Sequence, residues 1–133
     1  MKVILVVEDE QEVRKTIVEV LENNGYDVFQ SGDGQEAISY LRTYTPDLVI
    51  SDIMMPNVDG YEVLKYIKNN PATESVPLIF LTAKAEFQEI QKGLEYGADQ
   101  YLLKPFRMKD LITAVEIQLT NKNKVGDKFI SLN

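Results

Sequence analysis

The chain has 133 residues with neither cysteine nor histidine, and its 14 basic and 21 acidic residues give a net charge of −7. This length fits one domain, and the missing residue types exclude disulfides, thiolate or imidazole catalysis, and zinc bound by Cys or His. The negative charge argues against direct binding of this domain to nucleic-acid phosphates or to an anionic membrane surface.

The first half of the chain alternates between apolar strands and amphipathic helices. The run from Val3 to Val7 is too short for a signal sequence or a spanning helix, so we expect a soluble, cytoplasmic protein. Gly25 and Pro46 follow the two helical patterns and mark their ends. The predicted elements are a strand over 2–7, a helix over 13–21, a strand over 26–30 and a helix over 37–41.

The second half repeats the alternation three times and then becomes polar. The predicted elements are strands over 48–50, 76–81 and 100–103, and helices over 60–67, 87–94 and 111–119. Pro77 is tolerable only near the start of its strand, and Pro71 ends the helix before it. We therefore predict one domain over residues 1–120, followed by a frayed tail or the beginning of a linker over 121–133.

Five strand–helix repeats predict an α/β fold with a parallel sheet and helices on both of its faces. Right-handed crossovers leave few topologies. We predict the flavodoxin-like (βα)5 arrangement, a five-stranded sheet in the order 2-1-3-4-5. In that order the third strand lies between the first and the fourth.

Polar residues stand at the carboxyl ends of four of these strands, where ligands bind in open α/β sheets. They are Glu8 and Asp9 after the first strand, Asp52 after the third, Thr82 after the fourth and Lys104 after the fifth. Grouped carboxylates repel one another unless a cation joins them, and magnesium suits a site with few carboxylates and a phosphate oxygen. Asp52 could then act as a nucleophile toward phosphorus, with Lys104 as a second cation and Thr82 as a hydroxyl donor.

Each of these residues also has an ordinary explanation when taken alone. Asp52 could cap a turn, Thr82 could simply end a strand, and Lys104 could be a solvated charge. The acids from Glu8 to Glu10 could interact with the dipole of the following helix. The functional interpretation rests on the convergence of all of them on one edge of the predicted sheet.

With these motifs the chain resembles the response regulator receiver domain of two-component signalling, over residues 2 to about 120. The segments that carry the resemblance are Val7-Glu8-Asp9, Ser51-Asp52-Ile53-Met54-Met55-Pro56 with Asp59-Gly60, Leu81-Thr82-Ala83 and Lys104-Pro105-Phe106. Glu8 departs from the aspartate often found first in the acidic pair.

The resemblance implies a role for each of these positions. Asp52 would accept a phosphoryl group from a partner's phosphohistidine, with Thr82 and Lys104 contacting that group. Magnesium, or alternatively manganese, would be held by the acids and one carbonyl: Glu8, Asp9, Asp52 and the backbone carbonyl of Met54. Met54 and Lys84 would tune dephosphorylation. The resemblance further implies a cis peptide bond between Lys104 and Pro105.

The resemblance also implies a switch and its partners. Thr82 would move toward the phosphoryl group, and Tyr101 would turn inward. The face formed by the fourth helix, fifth strand and fifth helix would then change its partner preference, with Phe87, Tyr101 and Phe106 as reporters. The expected partners are a sensor histidine kinase or phosphotransfer protein, and an output domain or downstream target. The domain would be no enzyme beyond its own self-phosphorylation and self-dephosphorylation.

Three other classes of protein compete with this interpretation. A flavin mononucleotide site needs a phosphate cradle after the first strand, where this chain has Glu8 to Glu12. An aspartyl phosphatase of the haloacid dehalogenase type needs a second aspartate two residues after Asp52, where Met54 stands. A receiver-like module that binds proteins independently of phosphorylation is the remaining alternative.

Overall fold

The computed structural model describes residues 1–83, 87–120 and 129–131, and the side chains of these residues except 87–89 and 129–131. Within these ranges strands and helices alternate along the chain. The strands are β1 (Val3–Val7), β2 (Asp27–Ser31), β3 (Leu48–Asp52), β4 (Leu78–Thr82), β5 (Gln100–Leu103) and β6 (Phe129–Ser131). The helices are α1 (Gln11–Asn23), α2 (Gly34–Thr43), α3 (Gly60–Lys68), α4 (Phe87–Tyr96) and α5 (Met108–Thr120).

All neighbouring strands pair in parallel, in the order β2-β1-β3-β4-β5-β6. The predicted order 2-1-3-4-5 is therefore confirmed. The sequence pattern did not indicate β6, which pairs with the outer side of β5, with Gln100 opposite Phe129 and Leu102 opposite Ser131. Only three residues form this strand, too few for a periodic pattern to indicate it.

The core consists of two layers, one on each face of the sheet, as the prediction of helices on both faces requires. Alternate residues of the central strands serve the two layers, because successive side chains of a strand point to opposite faces. On β3, Val49 packs with the layer under α2, α3 and α4, whereas Leu48 and Ile50 pack with the layer under α1 and α5. The β3 strand is buried at all five positions.

Local chemistry explains where several elements begin and end. The side chains of Asp33 and Asp59 accept hydrogen bonds from the third residues of α2 and α3, and so cap these helices. The α3 helix ends at Lys68. Pro71 disfavours a helical conformation at Asn70, so the helix ends shortly before the limit that this proline sets. The β4 strand begins at Leu78 rather than Val76, because Pro77 has no N–H to donate to the sheet.

No helix in the described ranges is both long enough and apolar enough to cross a membrane.

Candidate functional site

Asp52 ends β3, a central strand that is buried at all five positions. Its neighbours β1 and β4 pair with β3 on either side, and Asp52 itself is 7% exposed. The carboxylate oxygen Oδ1 accepts a hydrogen bond of 2.9 Å from the backbone N–H of Ile53. The Ser51 hydroxyl donates to the backbone carbonyl of Asp52, at 2.8 Å. The strand thus presents one fixed carboxylate at the carboxyl edge of the sheet.

Two further carboxylates come from the loop after β1. Glu8 is fully buried and Asp9 is exposed. One carboxylate oxygen from each of Glu8, Asp9 and Asp52 lies within 4.8 Å of the others. Three oxygen ligands at this spacing match what a hard divalent cation binds, so the donor set fits magnesium or manganese. The Met54 side chain is 60% exposed, and a metal contact by its carbonyl stays a prediction.

Lys104 approaches the acids from β5. Its ammonium nitrogen Nζ lies 3.0 Å from Glu8 Oε1 and 3.4 Å from Asp52 Oδ2. The peptide bond between Lys104 and Pro105 is cis, as predicted. The backbone N–H of Lys104 donates to the carbonyl of Thr82 at 2.8 Å, which joins the ends of β5 and β4. The cation is therefore shared between the two buried carboxylates.

Thr82 completes the group of residues that the sequence pattern singled out. It is the last residue of β4, next to β3, and is 3% exposed. The five side chains predicted to meet at one edge thus stand at adjacent strand ends: Glu8, Asp9, Asp52, Thr82 and Lys104. Lys84 lies outside the described residues, so its predicted tuning role stays a prediction.

Burial dominates the electrostatics of this site. It raises the pKa of Glu8 to about 7, with the nearby Asp52 charge adding to the effect. Burial also raises the pKa of Asp52 above its usual range, although Lys104 opposes the shift. Burial alone would lower the pKa of Lys104, but its hydrogen bond to Glu8 and the charge of Asp52 raise it overall. The acids are thus costly to ionise together without additional positive charge.

In the presence of a chelator, we expect the free energy of unfolding to decrease as the pH rises from about 4.5 to about 7. Across this window folded Glu8 keeps a proton that the unfolded chain has released, because its pKa rises from 4.5 to about 7 on folding. The decrease is up to about 1.4 kcal/mol per pH unit. Urea unfolding at several pH values measures it.

Glu8→Gln should flatten this dependence, whereas Glu12→Gln, at an exposed position of α1, should leave it as it is. Equal slopes in the parent and in Glu8→Gln would contradict the assignment of the proton to Glu8.

Arg14 is a contributor to the site that sequence reasoning missed. Its Nη1 donates to the backbone carbonyl of Glu8 at 2.8 Å, and its Nε donates to the side chain of Gln30 at 3.1 Å. This α1 residue therefore ties the loop after β1 to β2. The signal in the sequence was the first of two basic residues, Arg14 and Lys15, that follow the acid-rich segment from Glu8 to Glu12 after Val13.

Tyr101 lies in the core next to the site rather than on the surface. It is fully buried, and its ring centroid lies 5.5 Å from that of Phe80. Phe106 is partly buried and packs against the layer under α1 and α5. The side chain of Phe87 lies outside the described residues. The predicted reporter roles of these aromatic residues stay predictions.

The fold and the site together define a flavodoxin-like domain with a buried aspartate at the centre of an acidic cluster and a lysine beside it. A family model for the response regulator receiver domain matches residues 4–116. The chain belongs to the response regulator receiver domain family, and it is a phospho-accepting receiver of the two-component phosphorelay class. The family decides against the flavin and phosphatase alternatives and disfavours the phosphorylation-independent binding module.

Individual relatives agree with this family. The DNA-binding response regulator MtrA of Mycolicibacterium paratuberculosis is 35% identical over 129 residues, which are 97% of this chain and 56% of MtrA. The chain thus spans about half the length of this curated relative. The structure of the Francisella response regulator 1452 receiver domain is 32% identical, with a TM-score of 0.85 over 92% of this chain and all of that one.

A further solved structure bears on the metal. It is the receiver domain of the sensor histidine kinase PA1611 from Pseudomonas aeruginosa PAO1, with a magnesium ion coordinated in its active-site cleft. It is 30% identical to this chain, with a TM-score of 0.81 over 90% of this chain and 98% of that one.

Receivers of this family are phosphoacceptors rather than enzymes with a separate substrate.

Proposed function

We propose that Asp52 is the residue that accepts the phosphoryl group. The observation that carries this proposal is the position of its carboxylate, buried at the end of β3 beside two other acids and 3.4 Å from Lys104. As the nucleophile attacks phosphorus, the phosphorus–nitrogen bond of a phosphohistidine donor breaks and a mixed anhydride forms on Asp52. Such transfer depends mostly on positioning and on neutralisation of charge.

Magnesium is the cation that we propose for Glu8, Asp9 and Asp52, with manganese as the alternative. The three carboxylate oxygens within 4.8 Å of one another support this assignment. When bound, the ion supplies positive charge to the phosphoryl oxygens. Asp9 is the exposed member of the set. Glu8 is the buried one, and a cation beside it would favour its ionised form, which burial disfavours by raising its pKa to about 7. The Met54 carbonyl is proposed as a further ligand.

Lys104 and Thr82 serve the transferred group in this proposal. Lys104 Nζ is shared between Glu8 and Asp52, so a small movement brings it to an oxygen of a phosphoryl group on Asp52. Thr82 ends the adjacent strand and donates its hydroxyl to another phosphoryl oxygen. Movement of Thr82 and the position of Tyr101 then change the surface that we call the output face, formed by α4, β5 and α5.

The partners follow from the same chemistry. We propose a sensor histidine kinase or phosphotransfer protein as the donor, and self-phosphorylation by small phosphodonors with self-dephosphorylation as intrinsic reactions. Because kinases make phosphohistidine from ATP, we propose a cytoplasmic location.

MtrA is a DNA-binding response regulator, which supports an output domain or target of that kind. The net charge of −7 over the whole chain argues that this domain does not touch DNA itself. Residues 121–133 are proposed as a tail or linker, of which Phe129–Ser131 pairs with β5.

Incubation of the chain with acetyl phosphate or phosphoramidate and Mg²⁺ is expected to add one phosphoryl group per chain, measured by intact-protein mass spectrometry. Excess chelator should slow incorporation by on the order of 100-fold or more, because a metal supplies several kcal/mol of charge stabilisation. Mn²⁺ added after the chelator should restore it. Failure of both donors to modify the chain in Mg²⁺ would favour the phosphorylation-independent module instead.

A further inference from the structure

The hydroxyl end of Tyr101 reaches α4 at a glycine. Tyr101 projects from β5 toward the helix layer, and Gly93 is a buried residue within α4. A Cβ atom on Gly93 would overlap the Tyr101 hydroxyl oxygen, and it would lie 2.7 Å from Cζ and 3.1 Å from Cε1 of the ring. The tyrosine hydroxyl therefore fills the space in which any other side chain at position 93 would begin.

The backbone of α4 gives no other reason for a glycine at this position. Positive φ angles occur among the described glycines at Gly25 and Gly97, so Gly93 keeps an ordinary helical conformation. A glycine inside a helix costs up to about 1 kcal/mol relative to alanine. The close approach of Tyr101 is thus the feature of this structure that accounts for Gly93.

Contacts with α3 also hold α4 in place. The ammonium of Lys92 lies 4.6 Å from the ring centroid of Tyr61, and the rings of Tyr61 and Tyr96 meet edge to face at 6.0 Å. Lys65 of α3 lies 5.2 Å from the centroid of Tyr96. The α4 residues that make these contacts, Lys92 and Tyr96, lie on either side of Gly93 in the sequence. A shift of the helix away from Tyr101 would disturb them, so an added methyl group has to displace the tyrosine, the helix or both.

We propose that Gly93 forms a notch in α4 that admits the Tyr101 hydroxyl, so that the buried position of Tyr101 and the position of α4 determine each other. Gly93 is then a positioning residue for Tyr101. A side chain at position 93 drives Tyr101 outward or α4 away from the sheet. The consequence for signalling, that a partner on the output face senses whether the notch is filled, rests on the proposed function.

A double-mutant cycle of Gly93→Ala and Tyr101→Leu tests the notch, because leucine lacks the ring atoms that approach position 93. In the parent background Gly93→Ala should lower the folding equilibrium constant by about 10-fold or more, as overpacking does. In the Tyr101→Leu background the same change should raise it by about 2- to 5-fold, as helix propensity predicts. Urea unfolding without any phosphodonor measures both values, so the test is independent of whether Asp52 accepts phosphate.

A second measurement locates the displaced side chain. Nitration of tyrosines by tetranitromethane, mapped by peptide mass spectrometry, should reach Tyr101 several-fold faster in Gly93→Ala than in the parent. Gln91→Ala, at an exposed position of α4, should change neither the nitration nor the unfolding midpoint appreciably. If Gly93→Ala alone does not fold, the double variant with Tyr101→Leu should still fold, and its urea unfolding midpoint should be at least as high as that of Tyr101→Leu alone. An equal effect of Gly93→Ala in both backgrounds would overturn the proposal.

Discussion

Asp52→Asn is expected to reduce phosphoryl incorporation to background while the chain still folds. The amide has no nucleophilic oxygen anion, so no mixed anhydride can form at position 52. Folding should not suffer, because asparagine keeps the oxygen that accepts the Ile53 N–H. Burial raises the pKa of Asp52, so its ionised form destabilises the folded chain at neutral pH. The urea midpoint of the variant, measured with chelator, should therefore be no lower than that of the parent.

Asp59→Asn is the matched control for this experiment. Asp59 caps α3 through its side chain, and asparagine caps helices equally well, so folding and incorporation should both persist. Intact-protein mass spectrometry with a small phosphodonor and Mg²⁺ compares the two variants directly. Undiminished label on Asp52→Asn, at any other residue, would refute Asp52 as the acceptor.

Gly60→Ala is expected to destabilise the chain by about 3 kcal/mol, the upper range for overpacking in a close-packed interior. A Cβ atom on Gly60 would overlap the backbone carbonyl oxygen of Asp52 and would lie 2.8 Å from the Ile53 Cα atom. Phe80 Cε1 would be 3.0 Å away. Two of these three neighbours are backbone atoms of β3 and its following residue, and they cannot move without shifting the Asp52 carboxylate. Phosphoryl incorporation should therefore fall together with the urea midpoint.

Gly32→Ala provides the comparison. The nearest atoms to an added Cβ there are the ends of the Arg14 and Glu36 side chains, at 3.2 Å and 3.7 Å. The end of Arg14 needs to move by only a few tenths of an ångström, so its hydrogen bond to the Glu8 carbonyl should persist. We expect Gly32→Ala to lower the free energy of unfolding by less than about 1 kcal/mol and to leave phosphoryl incorporation unchanged. If Gly60→Ala proved as stable as Gly32→Ala, the close contact between α3 and β3 would not be needed to hold the Asp52 carboxylate in place.

The sequence pattern predicted the sheet order and the edge at which the site residues meet, because both follow from short-range periodicity and a few topological rules. Thr82 and Lys104 each stand directly after an apolar run, and Asp52 stands one residue further from its own, after Ser51, so their strands could be assigned without knowledge of any contact. The placement of both acids beside β3 then required only the strand order. The cis bond before Pro105 came from the family resemblance alone.

Contacts that depend on distances between elements could not be predicted in this way. The sequence placed Lys104 near the acids, but it did not indicate that Glu8, at 3.0 Å, would be the nearer partner. The notch at Gly93 depends on the reach of Tyr101 across the layer, and a glycine inside a helical pattern gives no indication of what it faces. The β6 strand depends on an open edge of β5, which exists only in the assembled sheet.

The burial of β3 has a consequence for which parts of the domain can respond to a change at Asp52. Amide hydrogens of a strand that is paired on both sides and covered on both faces exchange with solvent only through large-scale opening. We therefore expect Val49 and Ile50 among the slowest-exchanging amides of the chain. Asp52, the proposed acceptor, is thus anchored in a segment that resists deformation, and we expect rearrangements that follow its modification to occur in the loops and helices around it.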